Sequence, residues 1–153
     1  TVVAPKNVGD YMKNNKKETG ITSINKYYLN KIVDKCIDNN IIIILYTVPS
    51  TKNWNMKRHE EVMDYANTKG IVYMDLNLNV EDLGINWELD SRDGGDHLNY
   101  YGAVKITDYM GKYLNSLNVL PNHKNDPKYN SWNQAYQLYE NKILNKITSS
   151  SGN

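Results

Sequence analysis

Phenylalanine is absent from this 153-residue chain, and cysteine occurs once, at Cys36. A lone cysteine excludes an internal disulfide and any cysteine-built zinc cluster, while one free thiol fits the cytosol and a disulfide-poor cell envelope alike. Without phenylalanine the aromatic packing falls to 13 tyrosines and three tryptophans. An excess of either sign of charge is missing as well. The 18 basic and 17 acidic side chains leave a formal +1, too weak a field to recruit nucleic acid or an anionic membrane, so no nucleic-acid partner is expected. No apolar run reaches the roughly 20 residues that cross a bilayer. The length suits one domain with a sizeable core.

What is present reads as alternating helices and strands. Residues 1–20 are polar and irregular, closing on NNKKETG, and look like a lead-in from an upstream segment. Thr22 or Ser23 can cap a helix whose apolar positions Ile24, Tyr28, Leu29, Ile32, Val33, Cys36 and Ile37 recur at three and four. The β-branched run IIIILYTV, Ile41 to Val48, predicts a strand buried on both faces and hence a parallel sheet. Met56, His59, Val62, Met63 and Ala66 mark a second helix ending at Gly70, before a strand from Ile71 to Leu76. A polar stretch from Asn77 to Asn99 precedes a helix carrying Ala103, Ile106, Tyr109, Met110, Tyr113 and Leu114 on one side. Ser131 is positioned to cap a last helix bearing Trp132, Tyr136, Tyr139, Ile143 and Ile147, and residues 148–153 should fray. Two parallel strands do not make a stable doubly wound sheet, so IIIILYTV should find a partner strand or expose an apolar edge. That partner could come from outside the chain, from Thr1 to Val8, or from a second copy.

The informative stretch is DSRDGGDHLNYYGAVKITDYMGKYL, Asp90 to Leu114, where a histidine flanked by acids stands just before a helix. A general base for a serine must be held in one tautomer by an acceptor on its other ring nitrogen. His97 has two candidate orienters, Asp93 and Asp96. Gly94 and Gly95 permit a tight path that brings the Asp93 carboxylate back to the imidazole, whereas adjacent Asp96 should point away, toward the following helix N-terminus. The alternative is an exposed acidic turn ahead of an Asn99 helix cap.

The block resembles the last conserved motif of the SGNH (GDSL-type) hydrolase superfamily, in which an Asp and a His supply two members of a Ser-His-Asp triad. More closely, IIIILYTVPS, VYMDLN, HLNYYGA and the tail around Trp132 are similar to the envelope O-acyltransferase branch, which includes alginate acetyltransferases and the teichoic acid D-alanine transfer protein. The resemblance implies a three-layer α/β/α flavodoxin-like domain with a parallel sheet, of which residues 21–147 would form the C-terminal part. It further implies a serine esterase or O-acyltransferase acting on acyl esters of an envelope polysaccharide or cell-wall polymer, outside the cytoplasm. A membrane-bound acyltransferase is a further partner it suggests, and no cofactor is implied. Gly94, not an acid, stands three residues before His97, so the family spacing leaves the orienting acid open.

No Gly-Asp-Ser or Gly-Ser-Ser turn is present, so the chain carries the histidine without a recognisable nucleophile block. Ser50, at the end of the first strand, is the substitute candidate, with a turn residue after Pro49 as its plainer reading. Ser50, Trp54 and Asn99 are assigned to substrate binding; Trp54 and Trp87 equally fit ordinary packing. A metal held by His97, Asp93, Asp96 and Asp75 has suitable donor types but no helical His pair behind it, and no metal is assigned. His59 reads as a packed core histidine and His123 as exposed. The reading from another class is a non-catalytic carbohydrate-binding or scaffold module on a degenerate SGNH fold.

Overall fold

The structure, a computed structural model, describes residues 1–13 and 20–150, with side chains through residue 146. Most of the NNKKETG run therefore lies outside the described residues, as do Ser151 to Asn153 and the Ile147 side chain. The chain divides into two compact units, Thr1–Lys112 and Tyr113–Asn153, where the sequence predicts one domain.

In the first unit, helix α1 (Ser23–Asp38) starts at Thr22, whose hydroxyl accepts the Asn25 N–H at 3.3 Å, a cap contributing about 1 kcal/mol. Its apolar stripe is only half covered: Val33 is fully buried, while Ile24, Tyr28 and Ile32 are exposed. Strand β1 (Ile44–Thr47) follows, then helix α2 (Met56–Lys69) and strand β2 (Val72–Asp75). Asn55 caps α2, and Gly70 ends it in the left-handed conformation with φ 65° that a glycine enters without strain. β1 and β2 pair in parallel, Ile44 opposite Val72 through Thr47 opposite Asp75, giving the expected β-α-β unit in a mixed α/β fold.

The first strand is shorter than the run IIIILYTV predicts. The Ile41 N–H is drawn back to the Cys36 carbonyl at 2.9 Å by the end of α1, and Pro49 has no N–H to continue the ladder. Nor is the run buried on both faces, since Ile41, Ile42, Tyr46 and Val48 are exposed. Among the described residues no third strand joins the sheet. Thr1 to Val8 does not supply one: Val3 exchanges backbone hydrogen bonds with Ser91 (3.0 Å) and Gly94 (2.8 Å) instead. An apolar edge is left open, as expected of a strand without a partner.

Between β2 and helix α4 (Tyr100–Ser116) the polar stretch contains a short helix, α3 (Trp87–Asp90). Leu76, Leu83 and Ile106 form its small core, with Ile85, Leu98, Tyr109 and Met110 packed against it. Gly102 allows α4 to approach Asp90, for a Cβ there would stand 2.9 Å from the Asp90 carbonyl oxygen. Asp90 is buried and paired with Lys105 at 2.6 Å.

The second unit holds helix α5 (Asn130–Ser150), which begins at Asn130 rather than after a Ser131 cap and stays helical through Ser150, beyond the fraying expected from residue 148. Trp132, Tyr136 and Tyr139 of its expected apolar stripe are exposed. His123 is partly exposed and stacks on Tyr129 at 4.1 Å between ring centroids.

Candidate functional site

The acidic loop before α4 is a closed turn whose ends are tied together. Ser91 and Leu98 form an isolated antiparallel bridge, and the Arg92 N–H donates to the His97 carbonyl at 2.9 Å. Inside the turn the buried Ser91 hydroxyl accepts the Gly95 N–H at 2.7 Å. Gly94 and Gly95 adopt φ 75° and 92°, the reversal that two adjacent glycines permit and other residues resist. Their reversal returns Asp93 to His97.

Asp93 then grips the histidine twice. One carboxylate oxygen accepts the His97 backbone N–H at 2.7 Å and the other meets ring Nδ1 at 2.7 Å. A carboxylate has no proton to offer, so Nδ1 is the donor and Nε2 of the neutral ring keeps its lone pair. The backbone N–H first, and the imidazole second, hold the Asp93 carboxyl below the usual carboxylate range. The ring itself is largely exposed, 62 % by side-chain area.

Asp96 takes a different place. Its nearer oxygen stands 3.8 Å from His97 Nδ1, beyond hydrogen-bonding reach, so it does not orient the ring. Rather than serving the helix N-terminus, its other oxygen accepts from the Ser50 hydroxyl at 3.3 Å and from the Asn53 carboxamide. Thr51 donates to the Gly95 carbonyl through its N–H (2.8 Å) and hydroxyl (3.1 Å), and Lys52 Nζ donates to the Asp93 carbonyl at 2.6 Å. The turn after β1 is thus strapped onto the acidic loop. Asn53, Thr51 and Lys52 carried no motif that sequence reasoning could have used.

Beside the strap lies a cavity of about 490 Å³ whose walls are Val48, Pro49, Leu98, Ala103 and Ile106, with Ser50, Asn53, Asp96, His97 and Thr107 among them. Ser50 and His97 share this cavity. Yet the Ser50 hydroxyl is committed to Asp96 and accepts the Asn53 N–H at 3.2 Å, and among the described residues no hydroxyl hydrogen-bonds the His97 ring.

The remaining expected site residues lie elsewhere. Trp54 lines a separate hollow of about 300 Å³ with Ile21, Asn25, Arg58 and Val62, and its indole N–H donates to Asp75 at 2.7 Å. Asn99 is buried and caps α4: its oxygen accepts the Tyr101 (2.9 Å) and Gly102 (3.3 Å) N–H groups, and its amide reaches the Leu89 carbonyl at 2.6 Å. Neither side chain lines the His97 cavity. Trp87 is packed edge-on against Tyr11. His59 is a satisfied interior histidine, its Nδ1 2.9 Å from the fully buried Asp75 side chain. Asp75 therefore stands apart from the acidic loop. Ligand atoms of Asp93, Asp96 and His97 come within 4.8 Å of one another, while Asp93 also holds the histidine and Asp96 the strap.

No helix among the described residues is long and apolar enough to cross a membrane. No family model matches the chain, and neither the curated proteins nor the solved structures compared with it give a match.

Proposed function

We propose that this chain is the histidine-bearing part of an SGNH-type serine esterase or O-acyltransferase, with His97 as general base and then acid and Asp93 as its orienting carboxylate. The observation that carries the reading is the Asp93–His97 pair: a carboxylate on Nδ1 selects the tautomer of the neutral ring in which Nε2 carries the lone pair, and the ring lines a mostly apolar cavity, the arrangement needed to take a proton from a hydroxyl. The nucleophilic serine would come from a polypeptide segment other than residues 1–153, because the Ser50 hydroxyl is turned to Asp96. The open β1 edge supports the same reading, since further parallel strands there would build the three-layer α/β/α sheet of an SGNH domain. Substrates would be acyl esters of an envelope polysaccharide or wall polymer, outside the cytoplasm, and a membrane-bound acyltransferase is the natural acyl donor partner.

The test uses the protein as its own cells make it. A fluorophosphonate probe should label a serine in the assembly containing this chain, and His97→Ala should abolish both labelling and ester turnover. Labelling and turnover unchanged by His97→Ala would remove the reading. The chain alone should hydrolyse p-nitrophenyl acetate no faster than its His97→Ala variant, and His97-dependent turnover there would bring Ser50 back as nucleophile. A non-catalytic carbohydrate-binding or scaffold module is the second reading; the commitment of Ser50 to Asp96 favours it, and absence of any labelled serine in the native assembly would select it.

A further inference from the structure

We infer that Asn77 is a positioning residue for His97, its side-chain carboxamide prolonging the β1–β2 ladder past the point where Pro49 breaks it. The inference rests on the reading of His97 as a working base for its functional meaning, but not for its geometry.

In a parallel pair, one residue donates its N–H to the carbonyl before the residue opposite and accepts the N–H after it. The last backbone pair of this sheet is Thr47 opposite Asp75. One step on, the Asn77 amide donates to the Val48 carbonyl at 3.4 Å and its oxygen accepts the Ser50 N–H at 2.9 Å. These are the two groups flanking Pro49, and the carboxamide imitates a backbone amide opposite a proline. Otherwise the Val48 carbonyl and Ser50 N–H would lack a strand partner where the sheet ends.

The carboxamide is itself locked. Asp75 accepts the Asn77 N–H at 3.0 Å and its amide at 2.8 Å through one oxygen. The other oxygen takes the Trp54 indole at 2.7 Å and meets His59 Nδ1 at 2.9 Å. Tyr11 donates to the Asn77 oxygen at 3.1 Å. Asn77 is buried and turned only one way, since the Asp75 carboxylate demands the NH₂ end and the Ser50 and Tyr11 donors demand the oxygen. Downstream of Ser50 come the strap bonds from Thr51 to Gly95 and from Ser50 and Asn53 to Asp96, and those two acceptors immediately precede His97. The sheet edge is thereby tied by hydrogen bonds to Gly95 and Asp96, and through the backbone of those two residues to the exposed imidazole of His97.

Nuclear magnetic resonance on the intact chain tests this without using turnover, so its failure is distinguishable from failure of the esterase reading. In the wild type the Ser50 and Thr51 amides should exchange with solvent as slowly as those of the β1–β2 ladder. At a pH of about 9, well above the ordinary imidazole range, ¹⁵N shifts should report mainly the Nδ1–H tautomer of His97. Asn77→Ala should lower the Nδ1–H to Nε2–H ratio by about threefold or more as Asp93 and the ring lose register. Val33→Ala, a cavity variant in α1 away from the strap, should destabilise the chain and leave that ratio unchanged. Ser50 exchanging at a free-loop rate would overturn the inference even if Asn77→Ala does not fold. So would an Asn77→Ala ratio equal to the wild type, or an equal shift in Val33→Ala.

Discussion

Replacing Asp93 by asparagine changes one atom and asks whether the carboxylate is needed as a carboxylate. Two donors face it at 2.7 Å, the His97 backbone N–H and ring Nδ1. Asparagine offers one good acceptor oxygen, so whichever way the amide turns, its NH₂ group confronts one of them. The backbone N–H cannot adapt, but the ring can, by moving its proton to Nε2 and accepting at Nδ1. The lone pair that should take the serine proton is then lost. A buried triad deprived of its acid in this way loses about 10⁴ in turnover. Here the ring is 62 % exposed, so water can serve part of the aspartate's role, and the expected loss in kcat is on the order of 10³ to 10⁴. Asp96→Asn keeps an oxygen for Ser50 and Asn53 and does not touch the ring, so its loss should stay within about tenfold. The assay is ester turnover by the native assembly, with urea melts of each variant to separate misfolding from chemistry. The reasoning fails if Asp93→Asn stays within about tenfold of the wild type while His97→Ala is inactive, or if the two asparagine variants rank the other way.

Three further outcomes follow from the same geometry. Gly95→Ala should destabilise by about 3 kcal/mol in urea titration, since φ is 92° and the new Cβ would lie 2.1 Å from the Thr51 hydroxyl; a midpoint equal to the wild type would contradict the strap. Lys105→Met should cost about 2 to 3 kcal/mol in the same assay by leaving Asp90 buried without its cation, discounted for the partial exposure of Lys105. Because Asp93 titrates below its unfolded value, its contribution to holding the loop is complete above pH of about 3.9 and is lost as the pH falls through the lower folded value. A ¹³C titration should find that depressed midpoint, and Asp93→Asn should remove the loop's response to acid over the same range.

Local rules carried much of this chain. The helix start at Thr22 and the stop at Gly70 depend on neighbours in sequence, and so does the return of Asp93 to His97 through two glycines. Asp93 could be favoured over Asp96 because a glycine pair makes a reversal cheap and adjacent extended residues point apart. What local rules could not settle was anything requiring two distant segments at one place. Trp54 was expected beside the site from its position in a loop, but the buried Asp75 holds its indole, because satisfying an interior acceptor outweighs facing solvent; the helix cap at Asn99 was already an open alternative in the sequence. Asp96 was drawn from its neighbouring helix to the turn after β1, and Asn77 from its own loop to the groups beside Pro49. The Asp75–Asn77 spacing suggests an Asx turn at the end of a strand, and a proline at the end of its neighbour signals an interrupted ladder; that one answers the other depends on the register of Thr47 with Asp75, which only tertiary packing supplies.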